Sequence, residues 1–284
     1  MGIVVAVMAQ GMMGAGVGGR LSERGAAVRT LLSGRSAESA ARARAAGMTA
    51  AADERALLEG ADFFLSILPP GEAESMARRL APVLRALPQK PVYVDCNAVS
   101  PQTATRIAAI VAPTGASFVD AGIIGGPPRP GYSPHIYASG AAVEETTVLG
   151  DWGLDWRAID GPIGAASGLK MSYGGITKGI TALGSAMMLG AARFGCAEAL
   201  VAELAASQPN IFKSLGASIP RMYDKAYRWV AEMEEISDFL EANPPSRDIY
   251  AAIARLYTFL AAAEAETAPG PDNPIKTLDR VLGR

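Results

Sequence analysis

The chain has 284 residues, half of them hydrophobic, which is enough for two modest domains with separate cores. A formal charge of -2 without any run of like charges excludes electrostatic capture of nucleic acid or of an anionic membrane surface. Two cysteines, Cys96 and Cys196, and a single histidine, His135, are not spaced as metal ligands, so no metal site is expected and a reducing, cytoplasmic setting fits best.

The first residues lead straight into an apolar run without a basic leader, and the most apolar later segment is interrupted by Lys178 and Arg193, so neither export nor a membrane span is expected. Short apolar runs then recur: IVVAV at 3–7, AVRTLL at 27–32, DFFLSIL at 62–68, PVYVDC at 91–96, SFVDAG at 117–122 and HIYASG at 135–140. Helical patterns lie between the earlier ones; Met13, Val17 and Leu21 form an i, i+4, i+8 stripe. This alternation predicts a parallel, doubly wound sheet. From about Gly164 the strand signals stop, and an Ala-, Leu- and Met-rich helical pattern follows, broken at Pro209, Pro220, Pro244 and the loop 268–274. The expected fold class is α/β, a doubly wound Rossmann-type N-terminal domain over 1–162 followed by an all-α C-terminal domain over 163–284.

Six glycines lie between residues 11 and 25, directly after the first strand and at the start of a helix. In that position glycines give a tight turn, let a pyrophosphate approach the backbone and allow close packing of helix on strand. The loop reads Ala9-Gln10-Gly11-Met12-Met13-Gly14, a G-x-G-x-x-G pattern with alanine in its first slot. At the end of the second strand, where an acid would hold a ribose 2′-hydroxyl, the sequence is Ser33-Gly34-Arg35-Ser36. An arginine with two hydroxyls suits a 2′-phosphate, so NADP is expected over NAD.

Leu68, Pro69 and Pro70, and likewise Asn97 and Ser100, stand just past strands, where ligands sit in such sheets. Asn97 reads equally as a cofactor contact and as the cap of a helix begun at Pro101. The segment VDAGIIGGPPRPG (119–131) leads from a strand into a loop rich in backbone amides, suited to an anionic group. It makes Gly122, Ile124, Gly125 and Gly126 candidate substrate residues. GPIGAASGLKMSYGGITKG (161–179) then places Lys170 near the start of a long helix with Tyr173, Gly174 and Thr177 on the same face.

In this order the motifs resemble the β-hydroxyacid dehydrogenase family, which includes 3-hydroxyisobutyrate and 6-phosphogluconate dehydrogenases. The resemblance covers the chain to about residue 195. It rests on Met13-Gly14, on Asp120 to Gly126 as Asp-x-x-x-x-Gly-Gly, on Gly161 to Gly164 as Gly-Pro-x-Gly, and on Lys170, which matches the family's catalytic lysine. Farther on, KAYRWVAEMEEI (225–236) resembles a less-studied branch of oxidoreductases with a phosphogluconate-dehydrogenase-like architecture. The resemblance implies hydride transfer between a nicotinamide and an alcohol or carbonyl of a small molecule, and a homodimer paired through the helical region. Two positions depart from the family: Ile124 replaces a serine, and Gly174 an asparagine. Thr177 stands where 6-phosphogluconate dehydrogenases carry a glutamate.

A hydride leaves a carbinol carbon only as its hydroxyl proton is taken, and Lys170 is the group expected to accept it, since desolvation and an oxidised nicotinamide both disfavour the ammonium. Ile124 and Gly174 remove polar side chains from the substrate grip, so short 3-hydroxy acids are expected to be poor substrates. Glu232, Glu234 and Glu235 read as a charged helix face. Two other activities compete: reduction of a C=N bond, since imine reductases share the two-domain plan but typically place Asp or Tyr at the lysine position, and non-catalytic binding of NADPH. The helix 179–192 has small residues and methionines on more than one face, consistent with a dimer.

Overall fold

The computed structural model describes residues 2–267 and 269–284. Ala268, the first residue of the loop expected before the last helix, lies outside them. The chain forms two compact units, Met1–Met171 and Ser172–Arg284.

The first unit alternates β1 (Val4–Met8), α1 (Met12–Glu23), β2 (Ala27–Leu31), α2 (Ala37–Ala45), β3 (Thr49–Ala51), α3 (Glu54–Leu58), β4 (Phe63–Ser66), α4 (Pro70–Ala86), β5 (Val92–Asp95), α5 (Pro101–Val111), β6 (Phe118–Ile124), β7 (His135–Ser139) and β8 (Asp155–Ala158). The sheet order is β3-β2-β1-β4-β5-β6-β7-β8. All neighbours are parallel except β6 and β7. That pair is antiparallel because only the loop 125–134 joins it, too short for a crossover helix. Strand order reverses between β1 and β4, where Met8 pairs with Ser66, so the ligand crevice of the fold opens at the C-terminal ends of these strands.

Alternation within the strands builds a core on each face of the sheet. Ala6, Met8, Phe64 and Tyr93 join Leu80, Leu84 and Ile107 on one side. On the other, Val5, Val7, Val28, Leu65 and Val94 pack with Val17 and Leu21 of α1. Both faces being covered explains why these strands read as continuous apolar runs.

The six strands read from the sequence are all present; β3 and β8 are additional, short strands at the two sheet edges. α6 (Ala165–Arg193) starts in the first unit and runs into the second, which continues with α7 (Ala197–Ser207), α8 (Pro209–Met222), α9 (Ala226–Phe239), α10 (Pro244–Glu264) and α11 (Pro274–Val281). The break expected at Pro220 is corrected: this proline lies inside α8, two residues before its end. So near the C-terminus it forfeits one helical hydrogen bond and has only two helical residues after it to disturb. No helix of the described residues is long and apolar enough to cross a membrane.

Candidate active site

The loop between β1 and α1 sits at the sheet's reversal point. Gly11 precedes α1 in an extended conformation, and no side chain caps that helix, whereas Ser36, Asp53 and Ser100 cap α2, α3 and α5. The first amides of α1, from Met12 and Met13 on, are therefore left for an anion. Gly14 is buried, and a side chain there would run into the carbonyl of Ala9. Gln10 points the other way, into the sheet: it is 1% exposed, and its Nε2 donates to Thr30 Oγ1 and, at 3.1 Å, to the Leu31 carbonyl. Its Oε1 has no partner among the described residues. Gly11 and Met12 are exposed and Met13 half-buried, so the open side of this loop is backbone.

Past β2, Ser33 is exposed and Arg35 half-buried. No hydrogen bond or ion pair of the Arg35 side chain is present among the described residues. Ser36 Oγ accepts from the Ser39 amide at 3.2 Å and meets Ser39 Oγ at 3.2 Å. Sequence reasoning missed Arg42, which donates through Nε to the Gln10 carbonyl at 3.1 Å and through Nη2 to Ser39 Oγ at 3.0 Å, and pairs with Glu38. The spacing 36, 39, 42 on one helix face was the signal for it. A dinucleotide fits this donor set of uncapped α1 amides and, past β2, the side chains of Ser33, Arg35, Ser36 and Arg42.

At the ends of β4 and β5, Asn97 is 2% exposed and ties the strands together. Its Oδ1 accepts from the Leu68 amide at 2.5 Å, and its Nδ2 donates to Ser66 Oγ at 2.9 Å and Asp95 Oδ1 at 2.5 Å. The cap of α5 is Ser100, not Asn97. Leu68 is buried, and Pro69, exposed, precedes α4.

The lysine is positioned from β6. Asp120, fully buried, accepts from the Gly164 and Ser167 amides at 3.0 and 2.9 Å, from Ser139 Oγ at 3.2 Å and from Ser167 Oγ at 2.6 Å. Burial pushes this carboxyl above its ordinary value, opposed by the hydrogen bonds from Ser167, Gly164 and Ser139. The carboxylate thereby closes the N-terminus of α6 from outside the helix. Lys170, a turn later and half-buried, donates from Nζ to the Ile123 carbonyl at 2.6 Å. Gly122 makes this approach possible: a Cβ there would lie 2.9 Å from the Ala166 carbonyl and 3.1 Å from Lys170 Cβ.

The loop 125–134 follows directly. Ile124 is half-buried, Gly125 and Gly126 are exposed. The Gly126 amide donates to the Tyr132 hydroxyl at 3.2 Å, and Gly125, at φ +132°, leaves no room for a side chain beside that hydroxyl. Arg129 and Tyr132 exchange backbone hydrogen bonds of 3.1 and 2.9 Å, and the Arg129 guanidinium lies 5.2 Å from the Tyr132 ring centroid. Arg20 of α1 donates to both their carbonyls, at 3.1 and 3.4 Å, and Pro128 lies where a side chain on Gly16 would be.

In the second unit, Tyr173 is 53% exposed, and Thr177 Oγ1 bonds back to the Tyr173 carbonyl at 2.9 Å. A Cβ on Gly174 would meet Ile236 Cδ1 at 3.9 Å and Lys178 Nζ at 4.0 Å. Glu232 is ion-paired to Lys178, whose ammonium lies 5.3 Å from the Trp229 ring centroid.

Comparison with known proteins identifies the fold and the family. The family described as the NAD binding domain of 6-phosphogluconate dehydrogenase matches residues 4–148, and a domain of unknown function, DUF1932, matches residues 191–260. An uncharacterised 28.5 kDa protein of Methanothermus fervidus is 28% identical over 156 residues, 55% of this chain and 58% of that protein; the match thus spans little more than half of its length. A solved protein of unknown function, reported to resemble 3-hydroxyacid dehydrogenases, is 30% identical over 92% of this chain and 99% of its own, with a TM-score of 0.71. The Mycobacterium tuberculosis 3-hydroxyisobutyrate dehydrogenase, solved with L-serine, shares the fold with a TM-score of 0.75 at 19% identity, covering 98% of this chain and 99% of that one.

Proposed function

The chain belongs to the family built on the NAD-binding domain of 6-phosphogluconate dehydrogenase, and from that premise we propose that it is an NADP-dependent oxidoreductase moving a hydride between the nicotinamide and an alcohol or carbonyl of a small molecule. The observation that carries this reading is Lys170: its ammonium rests 2.6 Å from the Ile123 carbonyl, beside the glycine loop that follows β6, on a helix whose start is fixed by Asp120. The nicotinamide, when bound, supplies or accepts the hydride. Lys170 takes the proton from the substrate hydroxyl during oxidation and returns it to the carbonyl oxygen during reduction. The Ile123 carbonyl orients the amine for that exchange.

The preference for NADP over NAD is supported by Arg35, Ser33 and Ser36 and by the lack of an acid from Leu32 to Ala37. A homodimer in the cytoplasm completes the proposal; the outer face of α6 supports the pairing.

The test is Lys170→Ala. Turnover should fall about 10² to 10⁴-fold, the usual contribution of a general acid-base group, while NADP(H) affinity stays unchanged. Oxidation of NADPH by aldehydes, and not by cyclic imines, separates this reading from C=N reduction; inactivity toward both despite tight NADPH binding would favour a non-catalytic cofactor module.

A further inference from the structure

We propose that Tyr132 determines substrate specificity by occupying the Gly126 amide, converting a loop suited to a carboxylate into one that presents a single neutral hydroxyl. This rests on the dehydrogenase reading above. A glycine-rich turn of free amides favours an anion because several N–H dipoles converge on it. Here the Gly126 N–H is already directed at the Tyr132 oxygen, at 3.2 Å. Having accepted that bond, the phenol keeps its own proton for donation, and the accepted bond strengthens it as a donor.

The arrangement is built from several contacts. Gly125 has the positive φ of +132° and lacks the side chain that would strike the phenol oxygen. The ring is held by the Arg129 guanidinium 5.2 Å from its centroid, and the backbone on either side by Arg20. Pro127, Pro128, Pro130 and Pro134 restrict the loop's backbone, so the phenol is poorly free to swing aside. With the apolar Ile124 directly preceding Gly125 in the chain, such a site favours a neutral acceptor oxygen, as in an ester, amide or ketone, over a carboxylate that must compete with Tyr132 for the amide.

Tyr132→Phe tests this, since it keeps the ring over Arg129 and removes only the oxygen. The probes are 3-hydroxypropanoate and its methyl ester, titrated by calorimetry into enzyme saturated with NADP⁺. The native protein should bind the ester more tightly than the acid. In the variant, acid affinity should rise about tenfold and ester affinity fall about threefold, with NADP⁺ affinity unchanged. Acid affinity within twofold of native in a variant that binds NADP⁺ normally would overturn the assignment, as would tight binding of the acid by the native protein or no binding of either probe. Tyr132→Leu frees the same amide and decides the matter if the phenylalanine variant does not fold. Because the readout is equilibrium binding, a failure here is distinct from failure of the dehydrogenase reading, which would show as no turnover of any alcohol or carbonyl with either cofactor.

Discussion

Asp120 and Ser167 are joined twice: the carboxylate of a central strand accepts both the amide, at 2.9 Å, and the hydroxyl, at 2.6 Å, of a residue in the first turn of α6. Three residues later in that helix comes Lys170, so the lysine's place over β6 is set by a buried ionisable group that itself does no chemistry. Asp120→Asn turns an acceptor into an amide donor facing N–H and O–H groups, and should destabilise the protein by about 1 to 3 kcal/mol in urea unfolding at pH 7. Because burial raises the folded carboxyl above its unfolded value, the native state holds that proton longer. Its linked contribution is therefore fully present below the ordinary carboxylate range and is lost as pH rises through the raised value. The stability gap between native protein and Asp120→Asn should accordingly narrow over that interval; a gap that widens with pH would contradict the direction of the shift.

Gly122→Ala places a methyl group 2.9 Å from the Ala166 carbonyl and 3.1 Å from Lys170 Cβ. The start of α6 has to yield, carrying the lysine away from Ile123. Turnover should drop about tenfold or more with NADP(H) affinity retained, since misplacement by an ångström is costly to catalysis. Steady-state kinetics beside fluorescence titration of NADPH gives both numbers.

Arg35→Asp replaces a half-buried cation at the end of β2 with an acid suited to a ribose hydroxyl. NADP(H) binding should weaken about tenfold, or 1.4 kcal/mol, with NAD(H) affinity equal or improved. Native protein that binds NAD(H) more tightly than NADP(H) would refute the cofactor preference.

On α6, Ile176, Ile180, Leu183 and Met187 stand 45 to 65% exposed at alternating spacings of four and three, and α7 has no buried residue at all. Such a stripe is the seam of a helix packed on another helix. The opposite side, with Thr181, Ala182, Ser185 and Met188, is already buried, so the cover still required lies along one face. Sedimentation should show a dimer at micromolar concentration, and Ile180→Glu should shift it toward monomer by at least tenfold in dissociation constant, as expected for about 1.4 kcal/mol or more lost on burying a charge. A monomeric native protein would end this proposal.

Strands whose two faces are both covered announce themselves as apolar runs, which is why β1, β2, β4, β5, β6 and β7 were readable from sequence. β3 and β8 were not. β3 is three residues, Thr49 to Ala51, and β8 carries Asp155 and Arg157 bonded to each other on an open edge. Lys170 was legible because short, ordered motifs surround it. Tyr132, Arg20 and Asp120 escaped notice in their roles, since each acts on backbone groups: Tyr132 meets an amide six positions back in its own loop, Asp120 reaches residues 44 and 47 positions away, Arg20 residues 109 and 112 away. Hydrogen bonds to main chain leave no complementary side chain for a pattern to reveal.

The clamp of Arg20 on the loop 125–134 has a thermodynamic corollary. One end of α1 leaves its first amides without a side-chain cap, while the other end grips the carbonyls of Arg129 and Tyr132. In the proposed reading, where the dinucleotide takes those amides and the substrate meets the loop, stiffening of the helix by the first ligand is shared with the loop, and the order cost is not incurred twice. Linked equilibria are reciprocal, so the factor by which the dinucleotide tightens substrate is the same factor by which substrate tightens the dinucleotide. Severing the clamp with Arg20→Ala should lower the factor by which each ligand tightens the other, and by the same amount in both directions.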